Sequence, residues 1–266
     1  MTEELKNILD KNLEEVKKET EIIDFSLLSE VLRYRAKVTP DNILYTFLTD
    51  DNNESTFTYN QLDQKAKLIA SKLLTTLKRG DRALLLYQPG LDFIAGFFGC
   101  LYAGVIAVPA YPPDLKRINK SLPRLMSIIK DCQSSVILTT SDILIFAKTL
   151  NDSVPLLKKT SWLTTDNISE NDYQATYNSE IIKDDIAFIQ YTSGSTGEAK
   201  GVMISHENLI YNQKMIEFSM DSTSKSTFTS WLPQYHDMGL IGNILHPLFI
   251  GSSCVFMSPF SFLKKP

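Results

Sequence analysis

The sequence predicts an α/β protein with largely parallel sheets flanked by helices, and three observations carry that prediction. From Asn42 onward, short β-branched or aromatic runs alternate with amphipathic stretches of helical period, the rhythm of βαβ units that bury a sheet between helices. The uncharged stretch 93–110 is punctuated as a buried helix followed by a buried strand. A loop rich in glycine and hydroxyl residues then follows directly behind the strand-like segment 185–191, at the strand end where α/β sheets take ligands.

Taken in order, residues 1–25 form a charged segment with Leu5, Ile8, Leu9, Leu13 and Val16 at helical spacing, which predicts an amphipathic helix. Residues 26–166 form a first α/β section. Strands are expected at 44–48 and 56–59 around the polar turn from Asp50 to Glu54, then an amphipathic helix at 61–77 and a strand at 83–87. A helix over 91–103 ends at Gly104, placed as a C-cap, and the β-branched run 105–108 is a strand closed by Pro109. A helix at 118–130, a strand at 135–139 and a helix at 142–150 complete the section. The polar, turn-rich residues 167–184 read as an exposed linker, and 185–266 begin a second α/β section.

Composition bounds the function. With 266 residues and 43% hydrophobic content the chain can bury a substantial core. A net charge of −4 argues against a nonspecific nucleic-acid surface, which needs a basic stripe to neutralise phosphates. Cys100, Cys132 and Cys254 are odd in number and widely spaced, the pattern of buried free thiols in a reducing compartment rather than of a disulfide framework or a zinc site. The charged start lacks the apolar region of a signal peptide, and glycines and prolines interrupt both long uncharged stretches. The expectation is therefore a cytoplasmic protein without a membrane span.

The most informative segment is Tyr191-Thr-Ser-Gly-Ser-Thr-Gly-Glu-Ala-Lys-Gly201. Backbone N–H groups reach anionic oxygens only where side chains are absent or small, which Gly194, Gly197 and Gly201 provide. Thr192, Ser193, Ser195 and Thr196 add hydroxyl donors, and Lys200 adds a compact positive charge. The pattern is a cradle for phosphate. It is not the P-loop of kinases and GTPases, which ends in Gly-Lys-Ser/Thr and opens a helix. Here Lys200 follows Ala199, no hydroxyl residue follows the lysine, and 201–205 read as a strand. Ser205 is placed to cap the next helix, with Glu207 and Asn208 in its first turn.

This loop, followed by Ser205-His-Glu-Asn-Leu209, resembles the phosphate-binding signature of the adenylate-forming superfamily. Ala199 departs from that signature, which usually has proline before the lysine. Ser230-Trp-Leu-Pro-Gln-Tyr-His-Asp-Met-Gly-Leu240 and Leu101-Tyr-Ala-Gly-Val-Ile-Ala-Val-Pro-Ala-Tyr-Pro-Pro113 narrow the resemblance to the fatty acyl-AMP ligases. The resemblance implies the first portion of the large N-terminal domain of that fold, with ATP and Mg2+ as cofactors. It implies attack of a fatty acid carboxylate on the α-phosphate of ATP, release of pyrophosphate, and transfer of the acyl group to an acyl carrier protein or synthetase module.

By the same resemblance, Thr192, Ser193, Gly194, Ser195, Thr196, Gly197 and Lys200 hold the β- and γ-phosphates. Lys200 and His236 are the catalytic residues, while His236, Met238 and Gly239 border the acyl substrate. A plain core role stays open for Met238 and Gly239, as for Trp231 and Tyr235. Asp237 is assigned a capping role, because an ionised carboxylate needs no base to be adenylated. Tyr111-Pro-Pro113 is read as a rigid turn that does not touch ligand. The adenine, ribose, magnesium and late-lysine elements of the superfamily have no counterpart in this sequence, so the chain alone is expected to lack activity. A fatty acyl-CoA synthetase and a noncatalytic nucleotide- or acyl-binding module remain the alternatives.

Overall fold

A computed structural model describes residues 24–49, 53–111, 118–150, 160–169, 180–193 and 199–264. The amphipathic N-terminal stripe, residues 50–52 of the polar turn and residues 170–179 of the polar stretch 167–184 lie outside these residues. Helix α1 spans Leu28–Val38, strands β1 and β2 span Ile43–Leu48 and Glu54–Thr58, and helix α2 spans Tyr59–Leu74. Strand β3 (Arg82–Leu86), helix α3 (Leu91–Ala103) and strand β4 (Ile106–Ala110) follow. Next come α4 (Ile118–Cys132), β5 (Val136–Thr139), α5 (Ser141–Leu150) and β6 (Ser161–Thr164). Strands β7 (Ile186–Ser193) and β8 (Ala199–Ser205) precede α6 (His206–Met220) and β9 (Thr227–Ser230). A π-helix at Met238–Leu245 runs into α7 (His246–Ile250), and β10 (Ser253–Met257) and α8 (Pro259–Lys264) close the described chain.

Local chemistry sets these boundaries. The strand expected to reach residue 59 stops at Thr58, because Thr58 and Gln61 form a reciprocal capping box that starts α2 at Tyr59. Gly104 ends α3 in the left-handed conformation at φ 68°, as its C-cap placement predicts. Pro109 does not close β4 but lies within it. It falls beyond Ala107–Phe188, the residue pair that joins β4 to β7, so its missing N–H interrupts no ladder there. Ser205 caps α6 through Asn208, its Oγ accepting from the Asn208 N–H at 3.1 Å.

The strands form two sheets. A six-stranded sheet in the order β6-β5-β3-β4-β7-β8 is parallel except for β8, which returns antiparallel to β7. A four-stranded sheet in the order β2-β1-β10-β9 has β10 inserted parallel between β1 and β9. Both sheets therefore draw strands from either side of the polar stretch 167–184. Helix α3 is buried from Phe93 to Ala103, as expected of a helix that is apolar on all faces. It joins α1, α2 and residues of both sheets in one continuous core. Cys100, Cys132 and Cys254 are free and buried. No helix among the described residues is long and apolar enough to cross a membrane.

Candidate active site

The carboxyl ends of β4 and β7 open on a cavity of about 420 Å³. Pro109, Ala110 and Tyr111 line it from β4, and Gln190, Tyr191 and Thr192 line it from β7. Helix α4 forms a second wall through Ser121, Arg124, Leu125 and Ile128. The loop ahead of the π-helix supplies Tyr235, His236 and Asp237.

That loop is held from several directions. The buried Gln234 accepts a hydrogen bond through Oε1 from the Gly90 N–H at 2.7 Å, fixing the loop to the start of α3. The Gln190 amide on β7 donates to the Tyr235 carbonyl at 3.0 Å. Pro233 O accepts from the His236 N–H at 3.1 Å, and His236 O accepts from the Leu240 N–H at 2.8 Å. These bonds leave the Tyr235 ring tilted against Tyr111 with 4.8 Å between centroids. Burial raises the Tyr235 phenol's pKa, Tyr111 adds to the rise and the Arg124 charge opposes it.

His236 is largely exposed and faces the cavity, its Nδ1 lying 2.5 Å from Asp237 Oδ1. Asp237 also accepts from the Met238 N–H at 2.7 Å. The expected capping role is what its geometry performs, and the same carboxylate orients the imidazole.

On the opposite wall the Tyr191 hydroxyl donates to Asp131 Oδ2 of α4 at 2.5 Å. Burial first, and then this bond to a carboxylate, push the phenol well above its usual range. The Tyr191 ring also lies against Gly201, its register partner on β8, where an added Cβ would come within 3.1 Å of Tyr191 Cζ. One tyrosine thus ties the β7–β8 pair to the helix across the cavity. Tyr191→Phe is expected to lower the unfolding free energy by about 1–2 kcal/mol, between a neutral and a charge-assisted hydrogen bond. The urea midpoint at unchanged m value measures it.

The predicted site residues fall into three groups. Thr192 and His236 line the cavity together, whereas Lys200 is exposed on β8 directly opposite Thr192 in the antiparallel register. Ser193 pairs with Ala199 as the last described pair of the two strands, and Gly194, Ser195, Thr196 and Gly197 lie outside the described residues. Met238 is exposed and Gly239 buried, and neither lines this cavity. Gly239 has a packing reason to be glycine, since an added Cβ would stand 2.1 Å from the Pro233 carbonyl oxygen.

Tyr111, read from the sequence as part of a rigid turn, lines the cavity, because β4 runs on through Pro109 to Ala110 and delivers it there. Trp231 takes no part in the lining and stacks on Phe262 at 3.9 Å. Sequence reasoning missed Gln190, Gln234 and Arg124. Gln190 lies in the strand-like segment just ahead of the loop and Gln234 inside a quoted motif, both amides with no charge or spacing to mark them, and Arg124 is one basic residue on an amphipathic helix.

Parallel strands that deliver tyrosine and amide groups to a cavity at their carboxyl ends, with a loop that adds an imidazole, define an α/β ligand-binding domain. The chain belongs to the AMP-binding enzyme family, which it matches over residues 32–266. It is 42% identical over 250 residues to the medium-chain-fatty-acid–[acyl-carrier-protein] ligase JamA of Moorena producens, covering 91% of this chain and 41% of that protein. It is 34% identical to the fatty-acid–CoA ligase FadD21 of Mycobacterium bovis, a name assigned there provisionally, over 91% of this chain and 43% of that one. Among solved structures it resembles the fatty acyl-adenylate ligase of L. pneumophila in complex with acyl adenylate and pyrophosphate. The TM-score there is 0.84 with 42% identity, over 93% of this chain and 42% of that one. The chain thus spans about two-fifths of the length of the relatives it matches.

Proposed function

We propose that this chain builds the phosphate- and carboxylate-facing wall of an ATP-dependent ligase that converts a fatty acid to its acyl adenylate and passes the acyl group to a carrier protein. The observation that carries the reading is the convergence of Thr192 and His236 on one cavity, next to the strand pair that bears Lys200. The carrier-protein ligase and the acyl-adenylate ligase to which the chain is similar point the same way.

In this reaction a carboxylate oxygen bonds to the α-phosphorus while the bond to the bridging oxygen breaks, and pyrophosphate leaves with both electrons. The protein needs no covalent step and contributes placement and charge neutralisation. Lys200 and the residues from Thr192 to Gly197 take the departing phosphates. His236, oriented by Asp237, donates a hydrogen bond towards the reacting oxygens. Met238 and Gly239 have the remoter role of setting the loop that carries His236. Magnesium enters with the nucleotide, but no group of three acidic, histidine or cysteine side chains among the described residues converges to hold a cation. We place the protein in the cytoplasm.

Because the chain covers about two-fifths of its relatives, it is assigned one wall of the site. The 266-residue chain alone is expected to give no fatty-acid-dependent pyrophosphate exchange. The complete gene product should give it, with fatty acids preferred over amino acids. Lys200→Ala there should lower kcat/KM for ATP by about 10- to 100-fold, the loss of one charge-assisted contact. Its melting temperature should hold, because Lys200 is exposed. Exchange that ignores fatty acid would overturn the reading, and unchanged ATP kinetics would remove Lys200 from it. A fatty acyl-CoA ligase is the second reading, favoured by the FadD21 name. Supplying coenzyme A or carrier protein as acceptor separates the two.

A further inference from the structure

We propose that Arg124 is an anion-binding residue of this cavity, its guanidinium taking the oxygens of the reacting carboxylate or of the α-phosphate. The inference rests on the functional reading above and names the group on α4 that meets the substrate's charge.

The placement of Arg124 follows from the helix that carries it. Leu125 and Ile128 are buried and anchor α4 beneath the cavity, while the preceding residue, Arg124, is exposed and lines it. Seven residues on, Asp131 lies on the same face of the helix and is bound to Tyr191 at 2.5 Å. The register of α4 against the carboxyl end of β7 is therefore fixed at a point two turns from Arg124.

Arg124 is the one permanent cation among the described lining residues. It lines the same cavity as Tyr235 and His236, so the substrate's charge can meet both walls. Asp237, the carboxylate among the lining residues, is already engaged by His236 at 2.5 Å and by the Met238 N–H. Among the described residues, no hydrogen bond or ion pair holds the Arg124 guanidinium. A permanently charged planar fork beside an apolar floor suits a carboxylate or phosphate better than a flexible ammonium does. Lys200 stands apart on β8, so the two cations can serve different oxygens of one reaction.

The test uses Arg124→Gln and Arg124→Lys, with kinetics on the complete gene product and binding on the 266-residue chain. Arg124→Gln should raise the KM of one substrate by roughly 10-fold or more, the loss of a charge-assisted pair, with the melting temperature unchanged. A rise confined to fatty acid assigns the carboxylate, and a rise confined to ATP assigns the phosphate. Arg124→Lys should recover part of the loss. Both KM values within about twofold of wild type would overturn the proposal.

The binding arm uses dodecanoate and adenosine 5′-monophosphate as probes, followed by NMR shifts or calorimetry. At least one probe should bind the wild-type chain and weaken roughly 10-fold or more in Arg124→Gln. Equal affinities, or no binding of either probe to wild type, would overturn it. If the complete product lacks ligase activity, the adenylation reading falls, and the binding arm still decides for or against Arg124.

Discussion

Gly239→Ala is expected to destabilise the ligand-free protein by about 3 kcal/mol, the upper range for overpacking a rigid site. The backbone of Gly239 is not in a conformation that needs glycine, since it is not among the residues with positive φ. Space decides the matter. An added Cβ would sit 2.1 Å from the Pro233 carbonyl oxygen, 2.8 Å from its carbon and 3.2 Å from the Leu232 carbonyl oxygen. All three atoms are backbone, so no rotamer change relieves the contact. Pro233 O also accepts the His236 N–H, and moving it displaces the residue that faces the cavity. The variant should therefore lose both stability and activity. If Gly239 instead leaves room for an acyl chain, the melting temperature will hold and only the fatty acid KM will move. Thermal unfolding without ligand separates the two outcomes.

The βαβ rhythm was legible because each element obeyed local rules. The cores of β7 and β8 and the Ser205 cap lie where residue type places them, since capping and β-branched runs act over a few residues. But β7 runs on through Thr192 and Ser193 and β8 takes in Ala199 and Lys200, because antiparallel pairing extends both strands into the stretch read as loop. Sheet membership was not legible in the same way. Strand β10 pairs with β1 across the whole described chain and β7 pairs with β4, and periodicity carries no information about such distant partners. Strand β6 escaped notice because Ser161 to Thr164 is short and lacks the apolar β-branched run, Val136-Ile-Leu138, that marks the equally short β5.

The candidate site divides along the same line. His236 and Thr192 stood out because their motifs are contiguous, and the structure brings them to one cavity. Tyr111 was discounted because proline usually ends a strand, yet β4 continues through Pro109 to Ala110 and delivers the ring to Tyr235. Arg124 and Asp131 sit on one ordinary amphipathic helix, and only the packing of α4 against β7 shows that one lines the cavity while the other holds Tyr191. Residues that act through tertiary placement carry no mark in the chain.

Acid should unfold this protein earlier than its carboxylates alone require, because His206 is buried without charge. It is the first residue of α6 and 2% exposed, and its Nδ1 has no hydrogen-bond partner. Burial lowers its pKa to about 4, although the nearby charges of Asp185 and Glu30 pull in the other direction. The start of a helix also disfavours an added positive charge. With the folded value depressed, the contribution of His206 is present above its ordinary value of 6.5 and is lost as pH falls through about 4. The full span corresponds to roughly 3 kcal/mol. His246 is buried too, and its burial shifts it in the same direction, so the wild-type pH slope alone does not isolate His206. His206→Phe keeps an apolar ring in the site and removes the titration. Urea midpoints at pH 7, 5.5 and 4.5 should converge more closely in this variant than in wild type, and the same pH slope in both proteins would show that His206 is not the group responsible.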